Sequence, residues 1–88
     1  MNDTYKIARQ RLYAIYNKHR SKYRGNSDTE QMCCMWSMSN PPDILLDTQP
    51  ICDIESAFNI KINENVAIEI YDMTLNEAIK KIMEMNST

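Results

Sequence analysis

The side chains capable of acid–base chemistry form no recognisable catalytic set in this sequence. The single histidine, His19, stands among tyrosines and basic residues, with no carboxylate at a spacing that would orient it. A general base needs its partner within hydrogen-bond reach, and no such partner is indicated. The neighbouring acids Asp53 and Glu55 are predicted to point to different faces of one helix and to be solvated. The sequence therefore predicts a protein that is not an enzyme, with no catalytic residue.

The three cysteines are the other reactive groups, and their spacing does not suit a metal. Cys33 and Cys34 are adjacent and Cys52 stands apart, whereas a zinc site uses two separated pairs of Cys or His ligands. No neighbouring cation or helix N-terminus is placed to activate the thiols. The chain shows no charged-then-apolar leader and no apolar run near the roughly 20 residues that span a bilayer. These features predict a reduced, cytoplasmic protein without a metal or a membrane contact.

Charge is divided unevenly along the chain, although the net charge is only −2. Residues 1–24 hold seven Lys or Arg and one acid, a balance of +6, whereas residues 25–88 hold three basic and eleven acidic residues, a balance of −8. A basic segment can bind nucleic acid, but the acidic remainder would repel phosphates, so a nucleic-acid partner is disfavoured. The simpler interpretation is that the first helix packs its cationic face toward the acidic remainder.

Length and glycine content predict one small all-α domain over residues 1–88. A chain of this size forms a single core, and its one glycine, Gly25, argues against a fold with many tight turns. Apolar residues recur at helical spacing over residues 3–23, and Arg24-Gly25-Asn26 ends that helix. A second helix is predicted over about residues 48–59, with Thr48 at its N-cap and Pro50 in its first turn.

Two further helices are predicted in the C-terminal third. Asn63 can cap a short helix over about residues 63–69; a competing strand over residues 67–71 is disfavoured because it has no partner strand. Thr74 and Glu77 form a capping box, which predicts a final helix over about residues 75–85. The architecture is thus a bundle of three main helices and one short one.

The loop over residues 25–47 is unusually rich in methionine and also contains the only tryptophan. Met32, Met35, Trp36 and Met38 are predicted to fold back over the helices as core cover. A Met-rich surface can also adapt to varied partners, so a binding surface is the alternative. Pro41-Pro42 forces an extended approach to the second helix.

Two segments carry a resemblance to the acyl carrier protein family, a small bundle of three main helices plus a short one. "IESAFNIKI" at residues 54–62 is similar to the family's end of helix two, and "MTLNEAIKKI" at residues 73–82 is similar to its final helix. The resemblance covers about half of the chain, residues 43–84, and lies in spacing more than in identity. It implies a carrier-like bundle whose partners meet it near the start of helix two.

The serine that carries 4′-phosphopantetheine in that family is missing. Aligned without gaps from Phe58, Asp43-Ile44-Leu45 falls on the family's Asp-Ser-Leu, and Ile44 has no hydroxyl. The alternative places Asp47-Thr48 there, but Thr48 is a poor substitute and Pro50 follows it. Because that serine is missing, the aligned residues imply that no cofactor is attached. 4′-Phosphopantetheine on Thr48 is expected only if the protein is a divergent carrier.

The function that fits these observations is a non-enzymatic, small acidic protein-binding module with a carrier-like fold. A concrete version is an immunity or antitoxin protein that covers the basic groove of a nuclease toxin, because acidic surfaces steer basic partners. The alternative is a divergent acyl or peptidyl carrier protein. The expected partner is a basic protein. The predicted contact residues, chosen for charge and exposure near the start of helix two, are Trp36, Met38, Asp43, Asp47, Asp53, Glu55 and Glu64.

Overall fold

The computed structural model describes residues 3–37 and 39–86. In that part of the chain there are four α-helices and one short 3-10 helix: α1 (Asp3–Arg20), the 3-10 helix (Met32–Met35), α2 (Gln49–Phe58), α3 (Glu64–Tyr71) and α4 (Leu75–Asn86). The described residues contain no strand, only one isolated bridge between Gln31 and Thr74. The predicted small all-α bundle is confirmed. Across the described ranges, no helix is both long enough and apolar enough to cross a membrane.

The helix α1 ends at Arg20 and not at the predicted residue 23, because the chain turns there. The backbone N–H of Arg24 donates to the carbonyl of Arg20 at 2.7 Å. The guanidinium of Arg20 donates to the carbonyls of Gly25 and Ser27 at 2.8 and 2.7 Å. Gly25 has a φ of +61°, a conformation that glycine adopts without strain. The sequence placed the end of the helix at Arg24-Gly25-Asn26. In the structure the helix ends at Arg20, and a turn that includes Gly25 follows it.

Two cations of α1 pair with acids from the rest of the chain. Arg9 contacts Glu30 at 3.2 Å, and Lys18 contacts Asp53 at 3.3 Å. Lys6, which lies elsewhere on α1, is exposed. The expected packing of basic residues toward the acidic remainder thus holds for part of the helix, whereas Lys6 and Arg11 are exposed and Arg20 is bound by the turn that follows α1.

One apolar core joins all the helices. Each α-helix contributes residues that are fully shielded from solvent: Leu12, Tyr16, Ile51, Ile54, Ala67, Ile70, Leu75, Ile79 and Ile82. Burial of one large aliphatic side chain contributes about 1.5–3 kcal/mol to folding. Met32, Met35 and Trp36 join the same core at 0, 1 and 4% exposure. The interpretation of this loop as core cover is confirmed for these three residues.

The segment before the 3-10 helix ties α1 to the start of α4. The backbone N–H of Glu30 donates to the hydroxyl of the buried Tyr16 at 2.9 Å, and the carbonyl of Glu30 accepts from the N–H of Leu75 at 2.7 Å. The N–H of Met32 donates to the carbonyl of Met73 at 3.0 Å. These bonds fix the loop between two helices that are distant in sequence.

The predicted helix starts are largely confirmed. Thr74 and Glu77 form the reciprocal capping box, with distances of 3.1 and 3.3 Å. The side chain of Asn63 accepts the N–H of Val66 at 2.8 Å and caps α3, so the disfavoured strand over residues 67–71 is indeed a helix. Thr48 occupies the N-cap position of α2, but its side chain makes no capping bond.

Candidate functional site

A cleft lies between the loop that precedes α2 and the surface of α3. Its volume is about 260 Å³, and it is lined by Pro41, Pro42, Asp43, Leu45, Glu64, Ile68 and Tyr71. The three α3 residues in this set are spaced i, i+4 and i+7, so they share one face of the helix. We call this region the acidic cleft, because its two charged lining residues are both carboxylates.

Glu64 holds the loop wall of the acidic cleft in place. Its two carboxylate oxygens accept the backbone N–H groups of Leu45 and Leu46, each at 3.1 Å. Hydrogen bonds to a charged acceptor are stronger than neutral ones. Glu64 is half-buried. Its carboxylate fixes the loop and also places a negative charge beside the cleft.

Two large aliphatic side chains stand exposed at the cleft. Ile68 lines it and is 48% exposed, and Ile44, between two lining residues in the chain, is 57% exposed. Asp43 and Asp47 are exposed on the same loop. Apolar side chains rimmed by polar groups are typical of contact surfaces. The cleft therefore combines apolar contact area with negative charge.

Trp36 does not have the exposure predicted for a contact residue. Its indole lies inside, with its ring centroid 5.2 Å from that of Tyr71, and its Nε1–H donates to the hydroxyl of Thr48 at 3.0 Å. Of the two roles that the sequence left open for Trp36, core cover is the one observed and surface contact is not. Trp36 thus supports the cleft from beneath, and the other predicted contact on this loop, Met38, lies outside the described residues.

Asp53 is not the solvated acid that the sequence predicted, and His19 does have a placed carboxylate. His19 is 2% exposed, and its Nε2 lies 2.6 Å from Asp53 Oδ2. The same oxygen accepts from Lys18 at 3.3 Å, while the amide of Gln49 donates to Oδ1 at 2.8 Å. Burial raises the pKa of Asp53, but the hydrogen bonds from His19, Gln49 and Lys18 outweigh burial and hold this pKa below its usual range. The group joins α1 to α2.

Glu55 also serves the fold. Its carboxylate accepts the backbone N–H of Ile62 at 2.8 Å, across the turn that follows α2. In that turn Asn59 has a φ of +54°, the left-handed conformation common at helix ends. The prediction that Glu55 is solvated is wrong, because its carboxylate closes this turn. Of the predicted contact residues, the acidic cleft brings together only Asp43 and Glu64 among its lining residues, with Asp47 exposed nearby in the chain.

The hydroxyl of Thr48 is occupied by two hydrogen bonds. It donates to the carbonyl of Leu45 at 2.6 Å and accepts from the indole of Trp36 at 3.0 Å. An acyl or phosphopantetheinyl arm on this oxygen would remove the proton that the first bond needs. Thr48 is thus built into the loop that forms the cleft wall.

The thiols and acids offer little for covalent or metal chemistry in the described part of the chain. Cys33 is half-buried, Cys34 is buried and Cys52 is exposed, and none of the three forms a disulfide with another described residue. Burial raises the pKa of the Cys33 thiol, which disfavours the reactive thiolate. Among the described residues, no three His, Cys, Asp or Glu side chains converge on a point where they could hold a metal ion.

The sequence reasoning missed Ile68 and Tyr71 as cleft residues. The helical period of α3 could have predicted that Ile68 and Tyr71 lie beside Glu64. Residues 64, 68 and 71 fall on one face of the helix, whereas Ala67 and Ile70 fall on the buried face. It also assigned no contact role to Ile44, which entered only as the residue without a hydroxyl. No family model, curated protein or solved structure matches this chain.

Proposed function

We propose that this protein is a non-enzymatic protein-binding module with a carrier-protein-like fold and no prosthetic group, and that the acidic cleft is its docking surface. The observation that carries this proposal is the pair of exposed isoleucines, Ile44 and Ile68, beside the carboxylates of Asp43 and Glu64. Exposing such side chains has no benefit for folding. Ile68 lines the cleft and Ile44 stands in the chain between two of its lining residues, an arrangement expected for a protein contact.

The order of elements supports the carrier-like part of the proposal. A long helix, a long loop, a second helix, a short helix and a final helix follow one another here, as in the acyl carrier family. In the ungapped alignment the family's serine position is Ile44, exposed and without a hydroxyl; in the gapped alignment it is Thr48, at the start of α2. Neither residue offers a free serine hydroxyl, which favours binding over carriage.

The partner that suits this surface is a basic protein segment with an apolar side chain. The apolar part would enter the cleft beside Ile68, and a Lys or Arg beside it would meet Asp43. Negative surface charge also speeds the approach of basic partners. An immunity or antitoxin protein that covers the basic groove of a nuclease is the concrete form of this function.

A divergent carrier remains the second candidate function, with Thr48 as the residue that would be loaded. The two hydrogen bonds of the Thr48 hydroxyl weigh against it, since loading would break one bond and disturb the loop. Incubation with coenzyme A and a phosphopantetheinyl transferase of broad specificity, followed by mass analysis, tests this candidate. A covalent adduct that disappears in Thr48→Val would favour the carrier function.

The binding function is tested by capture from the cells that make the protein. The wild type is used as bait beside Ile68→Ser and Ile44→Ser, and any partner recovered at stoichiometric yield is then titrated against each bait. We expect each substitution to weaken binding by about 1–3 kcal/mol, the usual range for an apolar contact residue.

The matched control is Ile7→Ser. Ile7 is 50% exposed, close to the 57 and 48% of the two cleft isoleucines, and it lies on α1 away from the cleft lining. Equal loss of binding in all three variants would mean that general surface hydrophobicity is responsible. Unchanged binding in both cleft variants would assign the partner to another surface and reject the cleft.

A further inference from the structure

A second cavity, separate from the acidic cleft, lies where the end of α1 meets the 3-10 helix and the start of α2. It encloses about 290 Å³, and His19, Trp36, Thr48 and Pro50 are among its lining residues. This volume is just below the roughly 300–1,000 Å³ typical of ligand sites. We call this cavity the histidine pocket; its size suits a ligand of about ten non-hydrogen atoms.

The charge of the histidine pocket has the opposite sign to that of the cleft. Lys22 lines it with an exposed ammonium, and no Asp or Glu is found among its described lining residues. The ammonium makes no ion pair with any residue that the structure describes. In a protein whose net charge is −2, a pocket of positive charge selects for an anion.

Polar groups around Lys22 can orient such an anion. His19 is 98% shielded, and its Nε2 lies 2.6 Å from Asp53 Oδ2, so the imidazole is held in place as part of the cavity wall. The amide of Asn40 lines the same cavity. The carboxylate of Asp53 holds the imidazole in place, and Asp53 is not among the residues that line the pocket. A ligand would therefore meet a ring of defined orientation.

Part of the remaining lining is apolar, beside the polar side chains of Ser37, Thr48 and Gln49. The rings of Trp36 and Tyr23 and of Pro42 and Pro50 line the cavity. Aromatic faces and edges favour other aromatic rings through offset or edge-on contacts. The histidine pocket thus offers one cation and a flat apolar space in one small volume.

We propose that the histidine pocket binds a small aromatic carboxylate, with the carboxylate on Lys22 and the ring between Trp36 and the prolines. A single ammonium matches the single charge of a carboxylate. A phosphate carries about −1.5 to −2 at pH 7 and calls for several cations or an arginine fork, which this lining lacks. This proposal does not rest on the function proposed for the acidic cleft, although Pro42 lines both cavities.

The single tryptophan gives a direct readout, since Trp36 lines the pocket. Phenylacetate is titrated into the full chain while the fluorescence of Trp36 and the NMR signal of its indole N–H are followed. The matched probe is phenethylamine, which has a similar shape and the opposite charge. We expect saturation by phenylacetate with a half-point on the order of 1 mM, the affinity that about ten non-hydrogen atoms support, and no saturation by phenethylamine.

Two variants assign the response to the pocket. Lys22→Gln should weaken phenylacetate binding by about tenfold, because a charge-assisted hydrogen bond is lost. Lys6→Gln removes the same charge from an exposed position on α1 outside the lining, and should leave the affinity unchanged. Lack of saturation by phenylacetate, equal saturation by phenethylamine, or equal weakening in both variants would overturn the proposal. Both lysines are exposed, so neither substitution should disturb folding.

Discussion

Trp36 and Tyr71 meet with ring centroids 5.2 Å apart at an angle of 47°, and their contact lies between the acidic cleft and the histidine pocket. Tyr71 lines the acidic cleft, and Trp36 lines the histidine pocket. Pro42 lines both. The loop before α2 thus forms a wall of each cavity, so the bonds that hold this loop determine the shape of both.

Thr48→Val tests how the loop is anchored. The substitution keeps the shape of the side chain but removes the acceptor for the buried indole N–H of Trp36. A buried donor without a partner costs about 1–3 kcal/mol, so the free energy of unfolding should fall by that amount. Urea unfolding followed by circular dichroism measures it. Thr4→Val, at an exposed position of α1, is the control and should change little; equal stability of the two variants would show that the Trp36–Thr48 bond contributes nothing.

Asp53→Asn tests the link between α1 and α2. Because the pKa of Asp53 is lowered in the folded state, its carboxylate stabilises the fold above the ordinary pKa of 3.8. That contribution is lost as the pH falls through the folded-state pKa. At pH 7 the variant should be about 1–3 kcal/mol less stable than the wild type, chiefly through the contacts with His19 and Gln49, since the exposed Lys18 contributes little.

The pH dependence separates this electrostatic role from simple packing. Urea unfolding of the wild type and of Asp53→Asn between pH 7 and acid pH should show a stability difference that narrows below about pH 3.8. Asp47→Asn, at an exposed acid on the loop before α2, is the control and should stay close to the wild type throughout. A stability difference that is constant with pH would contradict the role assigned to the Asp53 charge.

Glu64→Ala tests the loop wall of the acidic cleft. Its carboxylate accepts the N–H groups of Leu45 and Leu46 at 3.1 Å each, and both amides should exchange slowly with solvent in the wild type. In the variant these two amides should exchange at least tenfold faster, because one charge-assisted bond is worth about 1.5–3 kcal/mol. NMR hydrogen exchange measures this. Unchanged exchange at both amides would mean that the loop is held by other contacts.

The parts of this fold that could be predicted are those that depend on neighbours in sequence. The capping box of Thr74 and Glu77 and the cap of Asn63 each join residues three positions apart, so their pattern is visible in the sequence. The apolar stripes of the helices follow the same logic. Local spacing determines the helix caps and the apolar stripes, and the structure confirms the caps and the stripes.

The parts that could not be predicted depend on how distant segments pack. His19 and Asp53 are 34 positions apart in the sequence, and no local pattern around either residue indicates their contact. Trp36 was expected to cover the core, yet it was also named as a contact residue, because a large apolar residue in a loop suits either place and composition does not distinguish them. The cleft itself depends on how the loop before α2 lies against α3, and Glu64 holds that loop through bonds across 19 and 18 positions.

The most direct test of the central claim, a binding module without a prosthetic group, is a native mass spectrum of the protein isolated gently from the cells that produce it. We predict an unmodified chain of 10.3 kDa in a stoichiometric complex with a basic protein, and loss of that complex in Ile68→Ser but not in Ile7→Ser. A chain that is heavier by one covalent arm, or an unmodified monomer with no bound protein, would contradict the claim.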